Sequence, residues 1–435
     1  MSMNWLSIGI PTSGEANNGY HRFDAVTRLG DGLRKQGIEG RILVGGASSG
    51  AIVASAYALG LSSREFRDLL GFFRTHMKPD LLMRGTRDDL LRSAVVDPDA
   101  ILRSIPNDPA LRALFSGDLS LPQSNLPISL RHLGRAMDDT LNRVDWSRGI
   151  NSGKPIIYVA TESDEIHRLG MSVGEFLILG LRNLLDLNLT ETQVNQAMHQ
   201  LFDIFHPSYM TNDQDVYYSL LQRLPEKESR RVTLLKSGPE MREGAFASAC
   251  IPAFMTPGYH HPQFDAAWSV AMPHRAVLAG QKNTHLLAMT DTQNGVIYEN
   301  GTIQMQAVVM PAVRILKTWR RFCAAIGDKD KVAKINERLA LMKRYPGIAP
   351  ITQTQLQEEN PDVHVRIFGR HPEFPYGGHP HHNKLLRTIA DIVNKGLQDV
   401  TRFVEPRDGR WELLKRLGEL EGDVMLKAVL QTIPA

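Results

Sequence analysis

The stretch Ile42-Leu43-Val44-Gly45-Gly46-Ala47-Ser48-Ser49-Gly50, running straight into Ala51-Ile52-Val53-Ala54-Ser55-Ala56-Tyr57-Ala58, decides the fold. A short apolar run, glycines on both sides of a serine and then a small-residue helical pattern read as strand, sharp turn and helix. In Gly46-x-Ser48-x-Gly50 the glycines remove side chains that would collide as the chain reverses, so the central serine stands exposed on a strained turn. Ser48 is the candidate nucleophile. The turn also sets it at the start of a helix, with the N–H of Ser49 aimed at the oxyanion that attack on an ester carbonyl would create. The five residues alone equally fit a turn that changes direction or holds a phosphate.

Working outward, residues 6–10 read as a first strand, 11–22 as a polar, turn-rich loop, and Phe23, Val26, Leu29 and Leu33 as a helix ended by Gly37. The order strand, helix, strand, helix predicts an α/β fold, a mostly parallel central sheet flanked by helices, with the site at the carboxyl ends of the strands. Only one strand precedes Ser48. In a typical α/β-hydrolase several do, and a late histidine closes the triad.

Beyond the elbow, 62–137 reads as helices covering one side of the sheet, and 155–161 as a central strand, being short, β-branched and apolar. Residues 170–228 read as a helical insertion without strand signals. It either adds core or forms a lid over an acyl pocket lined by Phe202, Phe205, Tyr209 and Met210. Asp265, between Phe264 and Ala266-Ala267, sits in an apolar setting where an ionised carboxylate is costly without a hydrogen-bonding partner. Capping the following turn is the commoner role for such a residue.

Two separate motifs now agree, and the chain resembles the patatin-like phospholipase family. Gly46-Ala47-Ser48-Ser49-Gly50-Ala51 is similar to that family's serine motif, Ala247-Ser248-Ala249-Cys250-Ile251-Pro252 to its small-residue segment, and Asp265-Ala266-Ala267 through Pro273 to its aspartate motif. The likeness also takes in the strand ending in Ala160-Thr161, a last strand at 363–368 and a helix at 384–400. It spans residues 1–405 and leaves 406–435 as an amphipathic helical tail that docks on the core or on a partner.

The resemblance implies a serine lipid acyl hydrolase of phospholipase A type, working through a Ser48–Asp265 dyad and an acyl-serine intermediate. It implies an oxyanion hole from Ser49 and Gly19, with Gly14 as the alternative to Gly19, and no metal or cofactor. Two features depart from the family pattern. The usual glycine-rich loop after the first strand aligns with 18–23, where only Gly19 and Arg22 fit, and alanines follow Asp265 in place of glycine. Alanines are tolerated there if their φ is negative. The same scaffold would serve an acyltransferase passing the acyl group to an alcohol or thiol, or a binding protein without catalysis. With fifteen histidines in the chain, a Ser-His-Asp triad also stays open.

Bulk properties narrow the partners. With 42% hydrophobic and 22% charged residues the chain is a folded protein, and its 435 residues hold a large core. Fifty Lys and Arg against 47 Asp and Glu leave +3, so no nucleic-acid partner is expected. Phospholipid or another acyl ester is the expected ligand, with peripheral membrane contact and a possible protein activator. Cys250 and Cys323 are too few for a disulfide framework. The first residues lack a charged leader and a long apolar run, which predicts a cytoplasmic protein or one exported without a cleavable signal. His260-His261 and the run 371–382 read as irregular loop, not a metal site. Lys317, Arg320, Arg321, Lys329, Lys331 and Lys334 form a basic face, either a solvated helix surface or a contact for anionic lipid.

Overall fold

Side chains alternate across a strand, and in this chain the alternation sorts them onto two covered faces. β1 (Leu6–Gly14) sends Leu6, Ile8 and Ile10 to one face, joined by Ile42 and Val44 of β2 (Gly40–Ser48) and by Ile156, Tyr158 and Ala160 of β3 (Ile156–Glu162). Leu43, Ala47, Ile157 and Val159 belong to the opposite face. Burial on both faces is why these strands read as near-continuous apolar runs. The computed structural model describes residues 6–14, 18–76, 137–169, 173–249, 263–270, 272–290, 295–298, 304–344, 350–369 and 410–433.

The sheet is completed by β4 (His206–Thr211), β5 (Val232–Leu234), β6 (Gln263–Asp265) and β7 (His285–Met289). β8 (Ile297–Tyr298) pairs with β9 (Pro350–Ile351) in a separate two-stranded ladder, and β10 (His364–Phe368) returns to the main sheet. Strand order is β10, β7, β1, β2, β3, β4, β5, with β6 also paired to β3. The ladders from β10 through β3 are parallel, and β4 and β6 run antiparallel to β3. The fold is therefore α/β with a mostly parallel central sheet flanked by helices.

Helices alternate with these strands. α1 (Asn18–Lys35) follows β1 and α2 (Ser49–Ala58) follows β2. α3 (Val173–Leu185) and α4 (Glu191–Asp203) precede β4; α5 (Gln214–Arg223) follows it; α6 (Gly238–Ala249) follows β5; α7 (His274–Gly280) follows β6. α8 (Met310–Ala325) and α9 (Lys329–Arg344) form a hairpin, α10 (Gln353–Glu359) precedes β10, and α11 (Arg410–Leu430) comes last. α1, α2, α6 and α11 cover the face that holds Ile8 and Val44, and α5, α7 and α10 cover the other. A third cluster joins α3, α4, α8 and α9 to Phe264 and Trp268, one residue before Asp265 and three after it.

Three expectations change. The region 11–22, expected as loop, is strand through Gly14 and helix from Asn18. β1 stays paired with β2 along its length, Pro11 included, while the register with β7 skips Ile10 and Pro11 and resumes at Thr12. A residue without an N–H is accommodated where one of the two ladders is interrupted. The span 170–228, expected without strands, contains β4. Pro207 masked it, and β5 covers only Tyr209–Thr211, so the proline sits at the uncovered end of the strand. Tyr209 and Met210 are consequently sheet core and not a lid: Met210 packs with Tyr158, and the Tyr209 hydroxyl donates to Glu228 at 2.6 Å. Phe205 lies against Phe176, Phe264 and Trp268 inside the third cluster. Residues 77–136, which hold most of the expected helical cover, the segment 250–262 with His260 and His261, and 370–409 with the histidine run and the expected helix at 384–400 lie outside the described residues.

α11 docks on α1. Gly418 permits it, because a Cβ there would meet the carbonyl oxygen of His21 and lie 2.7 Å from Asp24 Cβ. Met425 and Val429 reach the sheet-side core, and Arg28 donates to Asp423 at 2.7 Å.

The elbow depends on Gly46. A Cβ at that position would lie 2.5 Å from the backbone N of Ala51, and neither backbone segment is free to move without shifting α2. Gly46→Ala is expected to lower stability by about 1–3 kcal/mol, the range for an overpacked site. Denaturant unfolding of the purified variant measures it, and an unchanged midpoint would mean that the turn relaxes at no cost.

Candidate active site

Chain direction brings the two predicted residues together. β2 climbs beside β3 as far as Ala47 opposite Val159, and then the chain turns into α2 at Ser48. β4 occupies the other edge of β3, so β6 descends along the edge β2 has vacated, pairing Glu162 with Gln263, Thr161 with Phe264 and Ala160 with Asp265. The end of one strand thus faces the end of the other. Ser48 Oγ donates a hydrogen bond to Asp265 Oδ2 at 2.7 Å, across 217 positions of sequence.

Ser48 is held in an unusual backbone state, φ 56° and ψ −128°, and among the described residues it is the one non-glycine with positive φ. Such a residue stores on the order of 1–3 kcal/mol and persists only where its surroundings impose it. It stands at the N-cap of α2, where a serine side chain ordinarily accepts from the first turn; no such capping bond is made. The hydroxyl is turned to Asp265 instead. Ser49 is the first residue of α2, and the amides of that turn point out of the helix toward the Ser48 side. Ser55 and Tyr158, whose hydroxyls are 2.7 Å apart, tie α2 to β3 below the turn.

Asp265 is buried, and its second oxygen, Oδ1, accepts from Ala267 N at 2.9 Å. Capping and serine pairing therefore share one carboxylate. Ala266 to Trp268 form a 3-10 turn whose residues keep negative φ, so alanine is accommodated where glycine was anticipated. Burial pushes the Asp265 carboxyl up to about 6, and the bonds from Ser48 and Ala267 partly offset it. A carboxyl with that affinity accepts a proton at neutral pH more readily than an exposed one.

Residues to which the sequence reading gave no role at the site bond the backbone of Asp265 and of the turn that follows it. Thr161 Oγ1 donates to the Asp265 carbonyl at 2.9 Å and lies 2.8 Å from Ser269 Oγ. Gln304 Nε2 donates to the Trp268 carbonyl. Thr161 carried a signal, since it is the polar end of an otherwise apolar strand; Gln304 carried none, because its partner is reached only through the fold.

Gly14 ends β1 in register with Ser48, as neighbours on adjacent strands, whereas Gly19 stands in the first turn of α1. Among the described residues no histidine hydrogen-bonds Ser48 or Asp265, and both carboxylate oxygens are already engaged. His274, the buried first residue of α7, bonds the Met272 carbonyl through Nδ1 and is pushed down to about 4 by burial.

No protein-family model matches this chain, and no curated protein does. Among solved structures it is similar to VipD from Legionella pneumophila, at 11% identity and a TM-score of 0.26, over 98% of this chain and 85% of that one. That likeness is too slight to assign a fold or a chemistry.

Proposed function

We propose that this chain is a serine acyl-ester hydrolase of the patatin-like kind, with phospholipid as the substrate class and Ser48 and Asp265 as its catalytic dyad. One observation carries the reading: a serine in a strained strand-to-helix turn donates directly to a buried carboxylate of raised proton affinity, with no imidazole between them. Asp265 takes the proton as Ser48 Oγ attacks the acyl carbonyl. The tetrahedral oxyanion meets the amide of Ser49 at the head of α2, and Gly14, the register neighbour of Ser48, is the better placed of the two glycine candidates for the second donor. Collapse expels the alcohol, which regains the proton from Asp265. Water, deprotonated by the same carboxylate, then releases the fatty acid.

The pH dependence follows from Asp265. It acts as a base only when ionised, so kcat/KM for a neutral ester is expected to rise through pH of about 6 and level off above it. A pH–rate profile tests this. An acid limb near 4, or one that survives Asp265→Asn, would count against Asp265 as the base.

A further inference from the structure

α8 is a cationic helix with its apolar side already in use. Ala312, Leu316, Trp319 and Cys323 are buried in the cluster that reaches Trp268. The opposite side carries Arg314, Lys317 and Arg321, all exposed, in one stripe with Met310 at i, i+4, i+7 and i+11. The helix has no Asp or Glu in its 16 residues. Among the described residues none of these three cations is ion-paired. The charge is concentrated as well: the α8–α9 hairpin, residues 310–344, has ten Lys and Arg against three Asp and Glu, while the whole chain nets only +3.

Large apolar side chains stand beside these cations in solvent. Phe322 is 38% exposed, Ile326 57% and Met310 39%. A surface evolved only for solubility has no use for a phenylalanine and an isoleucine at i and i+4 beside a cationic stripe. A nucleic-acid surface would use the cations and leave the aliphatic groups idle. An anionic bilayer uses both, phosphate and carboxylate headgroups meeting the cations while Phe322 and Ile326 enter the acyl boundary.

We propose that the outer face of α8, with the turn that follows it, docks this protein on membranes that contain anionic lipid. The same helix continues from Gln304, which holds the Trp268 carbonyl three residues from Asp265, so the docked element and the dyad share one packed unit. For its purpose, bringing lipid to Ser48, the inference rests on the acyl-ester reading; for its physics it rests on α8 alone.

The test uses the full chain carrying Ser48→Ala, so that vesicles stay intact, in flotation with phosphatidylcholine vesicles made with or without phosphatidylserine. Binding is expected only with phosphatidylserine and should weaken as salt rises. Adding Arg314→Ala, Lys317→Ala and Arg321→Ala together is expected to lower the partition coefficient on the order of 100-fold, about fivefold per cation. Alanine suits an exposed helix, so the fold should survive, and thermal unfolding checks that. Phe322→Ser with Ile326→Ser should lower binding roughly tenfold while the salt dependence stays as it was.

Equal binding to both vesicle types, or a triple variant that binds like its parent, would overturn the proposal. So would binding to RNA without binding to vesicles. Cleavage of a soluble short-chain ester by the unmodified chain tests the other reading separately. Vesicle binding without ester cleavage leaves docking standing and removes the hydrolase, and cleavage with undiminished vesicle binding by the triple variant does the reverse.

Discussion

Ser48→Ala is expected to reduce ester hydrolysis on the order of 10⁶-fold, the scale reached when a serine nucleophile is removed from an enzyme whose other groups remain. The change deletes one oxygen. Gly46 still permits the turn and α2 still begins at residue 49, so the fold has no cause to change beyond the bond to Asp265. Losing that bond has a second consequence, because the Ser48 hydroxyl is one of two groups favouring the ionised carboxylate. Without it, Asp265 should hold its proton to still higher pH. A fluorophosphonate probe reads the chemistry: it should label the wild type at Ser48 and leave the variant unlabelled. Persistent labelling at another serine would place the nucleophile elsewhere.

Asp265→Asn is expected to cost activity and add stability. Asparagine keeps the size and can still bond Ser48 and the Ala267 amide, yet it accepts no proton, so hydrolysis should fall by roughly 10²–10⁴-fold. Stability moves the other way. The folded carboxyl titrates near 6 against 3.8 for the unfolded group, so the folded state binds the proton more tightly. That contribution is fully present below pH about 4 and is lost as pH rises through about 6, leaving a penalty of about 3 kcal/mol at neutral pH. The asparagine variant should therefore unfold at higher denaturant than wild type at pH 8, and the advantage should vanish near pH 3.5. A variant no more stable at pH 8 would show that Asp265 is not ionised against its surroundings. Near-normal hydrolysis would show that it is not the base.

How much of this was legible in the sequence can be judged residue by residue. The elbow was readable because its cause is local: Gly46, Ser48 and the small residues of α2 each answer a constraint within ten positions. From its own residues Asp265 was readable as an anomaly, a charge among apolar neighbours, and its pairing with Ser48 came from the family resemblance alone. What resolves it is the vacated edge of β3, where β2 and β6 meet end to end, and no pattern within 263–268 encodes that meeting. β4 escaped because Pro207 opens it and because six residues between helices give alternation little room. The roles of Thr161 and Gln304 escaped for a further reason: their partners are backbone carbonyls, which every residue possesses.

The docking of α11 on α1 has a consequence for how the protein is made. Arg28 and Asp423 are 395 positions apart, and a ribosome adding about 5–20 residues each second needs roughly 20 to 80 s to cover that interval. Throughout it, the strip of α1 that will carry Gly418 faces water, and the core seat of Met425 and Val429 stands open. A nascent portion that lacks α11 lacks the Met425 and Val429 part of the core. During synthesis that part of the core thus waits on a helix whose Asp423 lies 395 positions after its partner Arg28, and its completion is a late event of chain elongation.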